Sequence, residues 1–537
     1  MTSTPTAPAS RLDAVVIGAG FAGMYMLHRL RKLGLKTRVF EAGDGVGGTW
    51  YWNQYPGARC DVESMQYSYS FDEELQQEWV WSERYPRQTE ILRYLNHVAD
   101  RFSLRTDISF ETRVVGAVYE ESSRLWTVKT DRGDTVIARY VISAVGCLSA
   151  AQVPDVAGLA TFQGKWYHTG HWPHEKVDFN GKRVAVIGTG SSGIQTIPAI
   201  AKEAAQVVVF QRTPNFSVPA WNGPLTIEAQ NAWKADFAAH RQLARTTKSG
   251  ILYQYPTKAV TDVTPEELEA EYEARWARGG PGFMHCFTDI LTSTASNDTL
   301  VAFVHRKIRA IVKDPAVADL LCPTDHPIGS KRICVDTGYY ETFNLPHVKL
   351  VNIKASPIQE VLPNGIRTRG ATYEVDAIVF ATGYDAVTGA IVKIDIRGKA
   401  GQSLKAKWAE GPRCYLGLMS HGFPNLFFLT GPGSPSILTN VVVSIEQHVD
   451  WTARCIDHME KKGVKAAEAN QAEEDAWVDT VNGLAANTLF PSTASWFMGA
   501  NIPGKPRVFL PYIGGLGKYT TLCEEVVANG YTGFTMA

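Results

Sequence analysis

The chain has 537 residues, 45% of them apolar, and its 53 Lys and Arg are balanced by 54 Asp and Glu to a formal net charge of −1. That length suits two or three packed domains, and the balanced charge leaves no basic excess that would suggest a nucleic-acid partner. No apolar run approaches the ~20 residues that cross a bilayer, and the eight cysteines show neither a CxxC pair nor metal-ligand spacing, so a soluble protein of a reducing cytoplasm, without a metal, is expected.

Residues 1–11 are rich in Thr, Pro and Ala, lack the apolar core of a signal peptide, and read as a frayed tail. Asp13–Ile17 is a short apolar strand, followed by the turn Gly18-Ala19-Gly20-Phe21-Ala22-Gly23, a helix over Met24–Leu33 and a second strand, Lys36–Phe40, ending at Glu41. The same unit recurs as strand Arg183–Ile187, turn Gly188-Thr189-Gly190-Ser191-Ser192-Gly193, a helix through Ile194 and Ile197, and strand Val207–Phe210; Pro198 is expected to kink that helix. Residues 220–328 read as inserted helices, one opened by the capping box Thr264-Pro265-Glu266-Glu267. Glu374–Phe380 and Phe423–Thr430 read as strands, the first leading into Ala381-Thr382-Gly383-Tyr384, and Asn440–Lys462 as an amphipathic helix stopped by Gly463.

Each glycine turn has a reason. The first glycine permits the sharp strand-to-helix bend, the second lets the backbone approach a pyrophosphate, and the third allows close helix–strand packing, with the anion over the helix N-terminus. One such turn is weak evidence, but two in full strand–helix–strand context imply two dinucleotide seats. Roughly 20 residues past its first glycine, Glu41 offers a carboxylate to a ribose with free hydroxyls, as in FAD. At the same offset the second unit has uncharged Gln211, then Arg212. An acid would repel a 2′-phosphate and a guanidinium would bind it, so this seat suits NADPH over NADH, although a solvent-facing arginine would look the same in sequence. Cys60 lacks the second cysteine of a flavin disulfide reductase and reads as a free thiol.

Between the two units, Phe162-x-Gly164-x-x-x-His168-Thr169-x-x-Trp172-Pro173 matches the FxGxxxHxxxW(P/D) signature of type I Baeyer-Villiger monooxygenases. The chain resembles that family from end to end, in the branch of phenylacetone, steroid and cyclohexanone monooxygenases. A second family pattern runs from Gly48-Thr49-Trp50 through Tyr55-Pro56-Gly57 to Asp61. The resemblance implies an α/β protein with two Rossmann-like dinucleotide-binding domains and an inserted helical subdomain. It places the FAD-binding domain in 12–148 and 385–537, the NADPH-binding domain in 149–219 and 329–384, and the helical subdomain in 220–328.

The family implies tightly but non-covalently bound FAD on Gly18, Ala19, Gly20, Gly23, Glu41, Gly48, Thr49, Trp50, Asp61, Tyr67 and Val114. It implies NADPH on Gly188, Thr189, Gly190, Ser191, Ser192, Gly193, Gln195, Arg212, Thr213, Lys331 and Trp496. Arg332, in Gly329-Ser330-Lys331-Arg332-Ile333, is then the active-site arginine and Asp61 its partner; a Lys-Arg pair ahead of an apolar strand reads by itself as a surface feature. His168 is expected to link domains rather than touch substrate. Ser436, Ile437, Leu438 and Val441 are expected to line the ketone pocket, and Trp496 either folds over the nicotinamide on a mobile loop or packs in a core. The activity implied is insertion of one oxygen atom of O2 beside a ketone carbonyl, through a peroxyflavin and a tetrahedral (Criegee) intermediate, to give an ester or lactone. A flavin-containing monooxygenase that oxidises nitrogen or sulfur is the rival reading, and Trp172-Pro173, Asp61 and Arg332 argue against it. No protein partner is expected.

Overall fold

The structure, a computed structural model, describes residues 10–537. Residues 1–9 of the expected tail lie outside that range, but Ser10 and Arg11 are not tail: they extend the first strand to Ser10–Ile17 and pair with Val136 and Ile137. Register explains the extension, because Thr135–Ser143 runs on beyond the apolar stretch and offers its backbone to two further residues.

That strand lies in a mixed sheet. Ile108–Ser109, Thr37–Phe40, Ser10–Ile17 and Thr135–Ser143 are parallel neighbours, and Leu426–Phe428 joins in parallel beside the far end of Thr135–Ser143. The near end of Thr135–Ser143 turns instead to an antiparallel ribbon with Leu125–Thr130 and Val114–Glu120, edged by Asp395–Arg397. Helix Phe21–Lys32 packs on this sheet and against the 22-residue helix Val441–Lys462. The latter is capped as its sequence dictates, by the Asn440 side chain and by Gly463 at φ +69°.

A second sheet is wholly parallel, in the order Val348–Asn352, Gln206–Gln211, Arg183–Ile187, Ala377–Phe380, Lys165–His168. Its three central strands read as apolar runs because both faces are covered; Val184, Val186, Val207, Ile378 and Val379 are buried, whereas the edge strands Val348–Asn352 and Lys165–His168 are mixed in character. Glu374–Phe380 is not one strand. Thr372–Glu374 closes a three-stranded antiparallel sheet, and Ala377–Phe380 starts afresh in the parallel one, after Asp376 has taken the Arg183 N–H on its carboxylate and given its own N–H to the Arg183 carbonyl. Phe423–Thr430 likewise shrinks to Leu426–Phe428, since Asn425 and Thr430 adopt φ near +58° and end the ladder on both sides. Pro198 sits in the last turn of helix Ser191–Ile200, where a missing N–H breaks a single helical bond and the helix still reaches Ile200.

The helices Ile227–Ala235, Phe237–Thr246, Pro265–Arg278, Thr294–Ile311 and Pro315–Leu321 fill the expected insertion. The capping box is present: Thr264 Oγ1 accepts from the Glu267 N–H, and the Glu267 carboxylate from the Thr264 N–H. At the neck of the insertion Ser217–Pro219 pairs in parallel with Cys334–Asp336. Buried Glu446, on helix Val441–Lys462, accepts from Ser70 and lies 3.4 Å from Arg245, which fastens the insertion to the first sheet. Among the described residues no helix is long and apolar enough to cross a membrane.

Candidate functional site

Both glycine turns have the predicted geometry. Gly18 has φ +104°, and a Cβ there would stand 2.7 Å from the Ala144 carbonyl oxygen; one on Gly23 would stand 1.8 Å from the Gly18 oxygen. In the second turn Gly188 has φ +110°, and a Cβ on Gly193 would meet the Gly188 oxygen at 2.2 Å. Gly190 differs, with open space where its Cβ would be. The two helices that follow, Phe21–Lys32 and Ser191–Ile200, start without a side-chain cap and without an acid in the first turn, so their first amides and their positive dipole ends are free for an anion. The residues present therefore fit a dinucleotide in each seat.

Around the first turn, Glu41 is only 5% exposed, and its carboxylate accepts from the Ala19 N–H at 2.7 Å and the Gly43 N–H at 2.8 Å. Burial raises its pKa, and those two donors pull the other way. Gly48 opens the short helix Thr49–Trp52 at φ +54°, and its Cα faces the position of a Cβ on Gly20 at 3.4 Å. Trp50 Nε1 donates to Tyr67 Oη at 3.2 Å, and Val114 is buried at the start of its strand. Around the second turn, Thr189 Oγ1 donates to the Thr213 carbonyl at 3.0 Å, Ser191 is exposed and Ser192 half-exposed. Gln211 is buried and donates to the Leu320 carbonyl, while Arg212 is exposed. Burial lowers the Lys331 pKa, and the charges of Arg212 and Lys354 lower it further against the opposing pull of Asp325.

Asp61 and Arg332 meet across 271 positions of sequence. Arg332 Nε donates to Asp61 Oδ2 at 2.9 Å, and Nη2 to Oδ1 at 2.8 Å and Oδ2 at 2.7 Å. Nη1 donates to the Ile437 carbonyl at 3.1 Å, so the guanidinium is fixed from two sides while a third of the side chain stays open. The attraction of Asp61 raises the arginine's pKa against the effect of burial, and the group remains a cation throughout. Burial instead pushes the neighbouring Cys60 thiol well up, which leaves it protonated and inert.

In the stretch 330–333, Lys331 feels the charges of Asp325, Arg212 and Lys354, while the next residue, Arg332, donates to Asp61. Ser330 Oγ accepts from Thr493 Oγ1 at 2.7 Å and anchors that stretch. On the other side the Tyr55-Pro56-Gly57 turn abuts the second helix. Gly57 has φ +82° and its Cβ would lie 2.3 Å from the Gln195 carbonyl oxygen, Tyr55 Oη donates to Gln195 Oε1 at 2.8 Å, and Gln195 Nε2 donates to the Arg59 carbonyl at 3.0 Å.

The signature residues occupy the joint between the sheets. Phe162 packs under the parallel sheet, and a Cβ on Gly164 would meet the Asp376 carbonyl oxygen at 2.3 Å. His168 is buried at the end of its strand; its Nδ1 accepts from the Gly170 N–H at 2.9 Å and its Nε2 faces Thr382 Oγ1 at 3.3 Å. Burial, then the charge of His171, lowers its pKa to about 4, so it is neutral at pH 7. Trp172 packs at a tilt against Tyr167, ring centroids 5.2 Å apart, and donates its backbone N–H to the Trp52 carbonyl, and Pro173 is half-buried. Ser436 is buried, whereas Ile437, Leu438 and Val441 are half-buried. Trp496 is half-buried between Phe497 and a cluster of Ala386, Val387 and Leu510 that also receives Ile437. Sequence reasoning missed the Ile437 carbonyl, a backbone contact with no side-chain signal, and Tyr253, on the loop after helix Phe237–Thr246, whose phenol is pushed well up by burial and then by the charges of Tyr85, Asp61 and Glu63.

Residues 15–248 match the model of the pyridine nucleotide-disulphide oxidoreductase family, although all eight cysteines here are free. A Baeyer-Villiger monooxygenase of Pseudooceanicola batsensis is 44% identical over 97% of this chain and 95% of its own. A phenazine N-monooxygenase of Lysobacter antibioticus is 42% identical over 98% and 97%. A solved structure of an oxidized steroid monooxygenase bound to NADP superposes with a TM-score of 0.94 at 52% identity, covering 98% of this chain and 99% of the other. Similarity running over nearly the whole length makes this chain a member of the Baeyer-Villiger monooxygenase family, oxidoreductases that use FAD and NADPH to oxygenate ketones.

Proposed function

We propose that this chain converts a ketone to an ester or lactone with NADPH and O2, and that Arg332 is the fixed cation of the reaction, held in place by Asp61. The observation that carries this reading is the two-toothed Asp61–Arg332 pair, anchored also by the Ile437 carbonyl yet partly open. Bound FAD supplies the oxygen chemistry and NADPH the hydride. Arg332 stabilises the oxyanion that develops on the ketone when its carbonyl carbon is attacked. Asp61 costs that cation little of its charge and removes its freedom to swing. Gly18–Gly23 with Glu41 seats FAD, and Gly188–Gly193 with Arg212 and Lys331 seats NADPH. Ile437, Leu438 and Val441 form an apolar wall beside the arginine and set the size of ketone admitted; Trp496, packed next to Ile437, shields the site from water. His168 and Trp172 act as joint residues. Eight free thiols, seven of them buried, favour the cytoplasm as compartment.

The phenazine relative favours a second reading, oxygen transfer to an aromatic nitrogen. Mass analysis of products from linear, cyclic, aromatic and steroidal ketones, beside a phenazine and a thioether, separates the two. Lactone or ester formation is the expected outcome, and N-oxide or sulfoxide with no ester from any ketone rejects the ketone reading.

The NADPH seat is tested separately. Arg212→Ala should lower kcat/KM for NADPH roughly 10- to 100-fold, the loss of a charge-assisted contact to a phosphate, and change that for NADH less than about threefold. Equal losses with both coenzymes would reject the phosphate role.

A further inference from the structure

The parallel sheet carries a basic residue that the glycine turn and its helix do not account for. Ligands of such sheets lie beyond the carboxyl ends of the strands, and Arg212 follows the end of Gln206–Gln211. The neighbouring edge strand, Val348–Asn352, is in register with it, Asn352 opposite Gln211, and the Ile353 N–H donates to the Gln211 carbonyl at 2.9 Å. Lys354 therefore leaves the sheet one strand over from Arg212 at the same end. Its course is set locally, since Asn352 Oδ1 accepts from the Lys354 N–H at 3.0 Å and the Ala355 N–H at 3.2 Å.

From the opposite side, the loop after helix Pro315–Leu321 brings Asp325 to the same place. Its Oδ2 lies 4.0 Å from Lys354 Nζ, and its Oδ1 is 2.7 Å from His326 Nδ1. Burial pushes the Asp325 carboxyl up, but the His326 hydrogen bond and the charges of Lys331 and Lys354 outweigh it and hold the group below the usual carboxylate range. Burial lowers the pKa of His326 below its ordinary value, which favours the neutral ring. The cluster thus sets Arg212, Lys331 and Lys354 against one carboxylate. The Lys354 side chain is 68% exposed and its contact with Asp325 is long, so that pair is held loosely. A phosphate monoester, with close to two negative charges and three acceptor oxygens, competes well for such a lysine.

We propose that Lys354 is the third cation of the seat for the coenzyme's 2′-phosphate, and that Asp325 is the counter-ion this phosphate displaces from it. The inference rests on the reading of Arg212 and Lys331 as the NADPH site and adds a residue from the edge strand. Asp325 opposes the phosphate by charge and offers NADH's free 2′-hydroxyl an acceptor. It therefore narrows the discrimination that the three cations create.

Calorimetric titration of the FAD-loaded protein with NADP+ and with NAD+ tests this, using Lys354→Gln, Asp325→Asn and Arg212→Ala, with the flavin absorbance confirming that each variant is loaded. Lys354→Gln should weaken NADP+ roughly three- to tenfold, as expected for one partly exposed cation facing a dianion, and leave NAD+ unchanged. Asp325→Asn should tighten NADP+ by about threefold. If Arg212→Ala weakens NADP+ and Lys354→Gln does not, or if Lys354→Gln weakens both coenzymes alike, the role of Lys354 is overturned while the seat stands. If neither Arg212→Ala nor Lys354→Gln affects NADP+, the seat itself lies elsewhere and both readings fall. Weaker NADP+ binding by Asp325→Asn would overturn the counter-ion role.

Discussion

Arg332→Ala is expected to leave NADPH able to bleach the bound FAD while ester or lactone formation falls by about 100- to 1,000-fold, the usual cost of removing one preorganised oxyanion donor. Reducing equivalents should then appear as hydrogen peroxide. The separation of the two half-reactions is the diagnostic part, because Lys331, on the coenzyme side, is untouched by the substitution. Removing the arginine strands the Asp61 carboxylate, only 19% exposed in its side chain, at a cost below the about 3–5 kcal/mol of breaking a fully buried pair, since a third of the arginine is open to solvent. The double variant Asp61→Asn with Arg332→Ala removes the stranded charge; it should regain stability and remain unable to oxygenate a ketone. Arg332→Lys keeps a positive charge but cannot make the two-toothed contact, so it should recover only part of the activity. Ester formation at the parent rate by a flavin-loaded Arg332→Ala protein would remove the arginine from the reaction.

How much of this could be read from the residues alone depended on the range of the interaction. The glycine turns, the Thr264 capping box and the Gly463 stop are decided within a few residues, and the structure has each of them where the sequence put it, whereas Asn440, read as the first helical residue, is the N-cap instead. Strand ends were harder, because an apolar run does not say which neighbour it pairs with. Glu374–Phe380 changes sheets at Asp376 through a contact with Arg183, and Phe423–Thr430 is cut by the backbone of Asn425 and Thr430. The Asp61–Arg332 contact spans 271 positions and had no local signal at all. Family resemblance nominated the two residues, and only the fold shows them touching. The Ile437 carbonyl and the approach of Lys354 to Asp325 lay beyond even that, one being a backbone atom and the other a meeting of an edge strand with a loop.

Alanine at two glycines should divide folding from coenzyme recognition. Gly23→Ala places a methyl 1.8 Å from the Gly18 carbonyl oxygen and 2.9 Å from its carbon. Both are backbone atoms of the same tight turn, so no side chain can yield, and helix Phe21–Lys32 must move off its strand. The expected product is colourless or aggregated, because the FAD cradle and the packing of the first sheet fail together. Gly190→Ala should behave in the opposite way. Its φ of −84° suits an L-residue, and nothing lies within 4 Å of the new methyl. The protein should therefore fold and stay yellow. The methyl nevertheless occupies the space through which a pyrophosphate approaches the backbone, and affinity for NADP+ and for NAD+ should fall together by roughly tenfold or more, since each loses about one or two backbone hydrogen bonds to charged oxygens. That parallel loss sets it apart from Arg212→Ala, which discriminates between the coenzymes. Unchanged binding of both by Gly190→Ala would show that the pyrophosphate does not pass over this turn.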